Sequence, residues 1–133
     1  MASVYRSNTL SVSIERQADQ VYEYIREARN LPHWANGLCR SIRESDGEWV
    51  IETPDGPATI RFVERNRFGV LDHVVTLLSG RETLVPMRVM ANGGGCEVIL
   101  SVFQLPGVPD AAFADDAALV HKDLQALKSV LER

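Results

Sequence analysis

DAAFADDAALVHKDLQALKSVLER, residues 110–133, closes the chain and decides how the rest can fold. Phe113, Ala117, Val120, Leu124, Leu127 and Leu131 recur at alternating steps of four and three. That spacing sets them in one stripe along a helix. Asp115, Asp116, Lys122, Asp123 and Lys128 lie mostly away from the stripe. Pro109 fits the first turn, where a missing N–H costs nothing, and no Gly or Pro follows it. A fully buried large apolar side chain contributes roughly 1.5–3 kcal/mol, against about 0.2–0.5 kcal/mol for an ion pair along a helix surface. The stripe therefore governs, and it needs a wide apolar surface to lie on.

The sequence before it supplies one. From Leu38 to Gln104 the chain reads as six consecutive strands. They run at about Cys39–Glu44, Glu48–Thr53, Ala58–Glu64, Val70–Leu78, Glu82–Ala91 and Cys96–Gln104, separated by Gly-, Asn-, Asp- and Pro-rich turns. The Asp46-Gly47 turn places Ile42 opposite Ile51, and the next turn is expected to place Ile51 opposite Ile60. Ile42, Trp49, Ile51, Ala58, Ile60 and Phe62 then share the inner face. In the last three strands one set is Val70, Asp72, Val74, Val85, Met87, Val89, Val98, Leu100 and Val102. The other includes Leu71, His73, Val75, Leu84, Arg88, Met90, Glu97, Ile99 and Phe103. The first is more uniformly apolar and is assigned to the inside, which puts Asp72 there; a slip of one residue reverses the assignment.

Upstream, Thr9–Glu15 alternates Leu10, Val12 and Ile14 with polar residues, as a half-buried strand does. Ala18, Val21, Tyr22 and Ile25 mark a helix over about 18–28. Asn30-Leu31-Pro32 breaks it and opens a second short helix through His33 and Trp34, with Gly37 marking its end. The order is β-α-α-β6-α in 133 residues, the size of one domain with its own core. The class is α+β, a seven-stranded antiparallel sheet against a long C-terminal helix.

Several stretches resemble the START-like, or Bet v 1-like, helix-grip superfamily, in particular its small bacterial SRPBCC (polyketide cyclase/dehydrase-like) members. They are Ile14–Ile25, Leu31-Pro32-His33-Trp34, Leu71–Val75, Val85–Val89 and the closing helix. Ala18 stands where many relatives begin the first helix with Pro. The resemblance implies a curved sheet wrapped round the last helix, with a cavity between them for an apolar or aromatic molecule. It supplies no universal catalytic residue. The candidate lining is Trp34, Trp49, Phe62, Met87, Leu100, Val120 and Leu124, with Asp72 and Arg88 as polar members. The apolar ones read equally as plain core.

Composition narrows the functions. A net charge of −4 disfavours a surface that tracks nucleic-acid phosphates. No apolar run reaches the roughly 20 residues of a membrane helix, and no signal-peptide core is visible, so the expected address is the cytoplasm. Cys39 and Cys96 read as unpaired thiols. His33, His73 and His121 fall on three elements without metal-ligand spacing, and Gly93-Gly94-Gly95 lacks a phosphate-loop pattern, so no metal or cofactor is expected.

Acid–base chemistry has two candidate carriers. His73, Arg88 and Glu97 share a face in the expected register: a cavity patch in which Arg88 holds an anion or carbonyl and His73 moves a proton, or a solvated face with an ordinary ion pair. Asp72, if inside, is the better acid or base. Three functions follow. The first is a carrier or sensor of a small hydrophobic or aromatic molecule. The second is a cyclase, dehydratase or isomerase using Asp72 or His73 with Arg88. The third is a homodimer formed through Leu71, Val75, Leu84, Ile99 and Phe103.

Overall fold

The structure, a computed structural model, describes residues 3–133. Strand β1 (Ser7–Ile14) leads into α1 (Ala18–Arg26), a 3-10 turn (Ala28–Asn30) and α2 (Leu31–Trp34). Then come β2 (Ile42–Ser45), β3 (Glu48–Thr53), β4 (Gly56–Phe62), β5 (His73–Leu77), β6 (Glu82–Val85), β7 (Met87–Asn92) and β8 (Gly95–Phe103). The long helix α3 (Asp110–Leu131) ends the chain, with Pro109 as its N-cap.

Hydrogen bonding divides the strands into β1-β8-β7 and β2-β3-β4-β5-β6, all antiparallel. The two parts are halves of one curved sheet. His73 pairs with Val85 in β5–β6, and Val70 bridges Arg88 beyond it in the same register. Leu71 N donates to Met87 O and Val89 N to Gly69 O, both at 2.9 Å. Residues 82–92 are thus one strand broken at Pro86, which has no N–H to give to the ladder. The sequence reading had a single strand here; the proline makes it two.

Turn geometry accounts for the rest of the register. Asp46 and Gly47 take positive φ of 52° and 79°, the backbone a two-residue hairpin loop demands, and Ile42 stands opposite Ile51. The next loop holds only Pro54 and Asp55, because Thr53 already pairs with Gly56. Ile51 therefore meets Ala58, and Trp49 meets Ile60, instead of the expected Ile51–Ile60 pair. A shift of two residues leaves every side chain on its face. Between β7 and β8, Arg88 stands opposite Ile99 and Met90 opposite Glu97, as the sequence predicts.

The helices pack chiefly on β1, β7 and β8. Helix α1 buries Val21, Tyr22 and Ile25; α3 buries Phe113, Leu124 and Leu127 and leaves Ala117, Val120 and Leu131 half-buried. The far end of α3 is fixed to β1: Lys128 Nζ donates to Ser13 O at 2.7 Å and Arg16 Nε to Leu131 O at 2.6 Å. Midway, the Asp123 carboxylate accepts from Gly37 N at 3.2 Å.

Candidate functional site

The site is made by a hairpin loop one residue longer than expected. Leu77 N donates to Arg81 O, so the loop is Leu78-Ser79-Gly80, with Gly80 at φ +89°. A three-residue loop closed by a left-handed residue is a standard hairpin connection, and glycine takes that conformation without strain. A two-residue Ser79-Gly80 turn would set Leu71 opposite Arg88. The observed loop sets it opposite Met87, and the inside and outside of β5 exchange. Leu71, His73 and Val75 face inward beside Met87 and Val89, whereas Asp72 and Val74 face outward. The inward placement of Asp72 is thereby corrected.

The break at Pro86 frees two backbone groups, and two side chains take them. In a regular ladder Met87 N–H would donate to Leu71 O. Here Met87 N donates to Asp72 Oδ1 at 2.9 Å, while Leu71 O lies 3.0 Å from His73 Nδ1. A carbonyl only accepts, so Nδ1 must carry the proton. In the neutral ring Nε2 is then a bare acceptor. The imidazole is 4% exposed, and burial pushes its pKa below the ordinary histidine value against the opposing pull of the Leu71 carbonyl. The Phe62 ring lies across it, centroids 4.8 Å apart and tilted by 43°. Of the buried side-chain nitrogens and oxygens among the described residues, only Trp34 Nε1 is both sealed from solvent and unpartnered. The Nε2 of His73, without a partner among the described residues, is therefore not wholly sealed.

Asp72 and Arg88 are committed to one another on the outer face, where Arg88 Nη1 also donates to Met87 O at 3.1 Å. Glu97 is occupied with Ser13 and Asn92. The expected grouping of His73, Arg88 and Glu97 is thus dispersed, with His73 on the opposite face from the other two. Neither Asp72 nor Arg88 is placed to work beside His73. The apolar set proposed for a homodimer is split in the same way: Leu71 and Val75 are core, and Leu84 and Phe103 are exposed.

The apolar candidates separate into two groups. Met87 is 0% exposed and Leu124 1%, so both are packed into the closed core and offer a ligand no surface. Leu100 is nearly closed. Trp34 is buried on α2, its indole N–H without an acceptor. Trp49, Phe62 and Val120 are half-buried against the core, as are Val85 and Val102. Pairing carries Phe62, His73 and Val85 across the inner face as one row. A half-open pocket of about 350 Å³ lies against β3, β4 and β5, with Trp49, Ile60 and Phe62 in its walls and Arg26 and Ala28 at the end of α1. Half of its lining, Glu48, Thr59, Arg61, Val74, Thr76 and Glu82, belongs to the outer face, and His73, Val85 and α3 do not line it. Its size suits a small ligand. Arg29 stacks on the Trp49 ring at 4.9 Å.

Sequence reasoning missed the roles of Val85 and Leu71 O. A signal was present: Gly80 is the residue that a three-residue loop requires at its last position. Other chemistry is sparse. Burial pushes the Cys39 thiol up to about 11 and raises Cys96 as well, which keeps both protonated and poorly nucleophilic. Among the described residues no cluster of His, Cys, Asp or Glu could hold a metal, and no helix is long and apolar enough to cross a membrane.

Neither a protein-family model nor a curated protein matches the sequence. Solved structures do match in shape. An uncharacterized protein from Bacillus thuringiensis is similar with a TM-score of 0.74 at 20% identity, covering 95% of this chain and 98% of that one. A START superfamily protein from Mycobacterium smegmatis gives 0.69 at 10% identity, covering 95% and 97%. Ara h 8.0201, of the Bet v 1 type, gives 0.67 at 14% identity, with the same coverage. The chain has the START-like, or Bet v 1-like, helix-grip fold.

Proposed function

We propose that the protein binds a small apolar or aromatic molecule against the inner face of β3 to β6, as a carrier or sensor. One observation carries this reading: Trp49, Phe62 and Val85 face inward yet stay half-exposed. Inward apolar side chains in a finished core are closed over, as Met87 and Leu71 are. A row left open on the concave side is surface that a ligand of similar chemistry would cover, at roughly 25 cal/mol per Å² of apolar area removed from water. The fold supports the same reading, since helix-grip proteins commonly hold hydrophobic ligands.

The test is native mass spectrometry of protein taken from its own host, followed by titration with a naphthalene probe. The expected result is a co-purified compound, or saturable probe binding that quenches tryptophan emission and weakens on Trp49→Ala. A protein that carries nothing and binds no aromatic or fatty probe would sink the proposal.

A second reading, proton-transfer catalysis, is favoured by one feature, a neutral imidazole with its tautomer held by the backbone. Its carrier would be His73 alone, since Asp72 and Arg88 lie on the outer face. Replacing His73 would then abolish turnover of the bound compound while leaving its binding.

A further inference from the structure

We propose that His73 makes this site selective for ligands that present a hydrogen-bond donor, a phenolic or enolic hydroxyl or an N–H, from an apolar body. The inference rests on the binding proposed above and names the chemical class bound. Leu71 O takes the Nδ1 proton, and it is free to do so because Asp72 has drawn Met87 N–H out of the ladder. The backbone thereby fixes which nitrogen is protonated. Nε2 is left with a lone pair and no partner among the described residues. Its neighbours offer no alternative: Phe62 and Val85 flank His73 across the sheet, and Leu71 and Val75 precede and follow it on the same face.

A ligand that extends from the pocket's Phe62 wall along this row meets apolar side chains and one acceptor. A hydroxyl or N–H satisfies Nε2 on binding. An ether, a ketone or a carboxylate sets a second acceptor against it and leaves both desolvated and unpaired. Sites that hydrogen-bond a particular group discriminate steeply against analogues lacking it, because the buried protein group then goes without a partner. The opening at His73 tempers that ideal, so we expect a preference of about tenfold or more rather than the full range.

The experiment compares naphthol with its methyl ether, two probes of nearly the same shape and apolar area. Affinities are measured by calorimetry on the wild-type protein and on His73→Phe. Naphthol should bind the wild type about tenfold tighter than the ether, and the ratio should fall to about threefold or less in the variant. Nitrogen-15 spectra of the wild-type imidazole give an independent readout should His73→Phe fail to fold. The Nε2 resonance should move on addition of naphthol and stay in place with the ether. Equal affinities for the two probes in the wild type, or an Nε2 signal indifferent to naphthol, overturn the donor selectivity and leave the binding function standing. Binding of neither probe removes both.

Discussion

The two halves of the sheet use the same residue types to different ends. In β1, β7 and β8 the inward side chains include Ile14, Met87, Cys96 and Val98, all closed to solvent under α1 and α3. In β2 to β6 Ile51, Ala58, Ile60, His73 and Val75 are buried too, but Ile42, Trp49, Phe62, Leu77 and Val85 remain half-exposed, against Leu10 and Val102 in the other half. Strand composition does not distinguish the halves; coverage by helices does. The helices lie on one side of the concave face, so the side they leave bare is where a ligand can be received. A helix-grip sheet thus divides its labour along its width.

The sharpest way to break this comparison is to cut one side chain from each half. Leu124→Ala removes a sealed residue under the closed half and should cost about 2–5 kcal/mol in chemical denaturation. Val85→Ala in the open half should cost about 1 kcal/mol or less in stability, because its surroundings are already solvated, yet weaken probe binding. Equal losses of stability would show that the halves are equally packed.

The seam between the halves gives a smaller effect. Asp72→Ala leaves Met87 N–H without its acceptor and should cost about 1–3 kcal/mol. Asp72→Asn keeps an acceptor oxygen and should lose only part of that. If the two variants match, the ion pair with Arg88 rather than the amide bond is what Asp72 supplies.

Smallest is a pH effect on the closed half. Burial raises Asp123 from an ordinary 3.8 to about 6, against the lowering pull of the Gly37 amide. The folded chain then holds this proton more tightly than the unfolded chain. Stability is greatest at the acid end of that window and falls as pH rises from about 4 through about 6. The carboxyl is partly solvated, so the change should be about 1 kcal/mol rather than the full value of such a shift. Asp123→Asn should flatten this part of the profile relative to wild type; an unchanged profile would assign the dependence to other carboxylates.

How much of this was legible in the sequence follows from the range of each interaction. The α3 stripe and the β2–β4 faces depend on local periodicity and were readable from residues alone; the loop at Pro54 and Asp55 moved the β3–β4 pairing by two residues, which leaves the faces unchanged. The helix-grip fold that the resemblance implied agrees with the structure. The face of β5 was not readable, because Ser79-Gly80 serves equally as a two-residue turn or as the end of a three-residue loop, and one residue decides between Asp72 and His73. Pro86 was visible too. Its effect was not, since that depends on which carbonyl and which carboxylate stand across the sheet. The same holds for the candidate lining: Met87 and Trp49 look alike as inward apolar residues, and only the placement of the helices tells a closed one from an open one.

The pairing of β1 with β8 has a consequence for how this protein is made. Thr9 and Ser101 hydrogen-bond to each other across 92 residues, so β1 leaves the ribosome well before β8, the strand it pairs with. Until then both edges of β1 are unpaired, and α3, which packs on it, has not yet been synthesised. Long-range pairing of this kind slows folding and prolongs the exposure of strand edges. The closed half, the more fully buried when finished, is therefore completed last. A nascent chain stalled before Gly95 would hold the pieces of the open half and an unprotected first strand, the form in which this sequence most needs a chaperone.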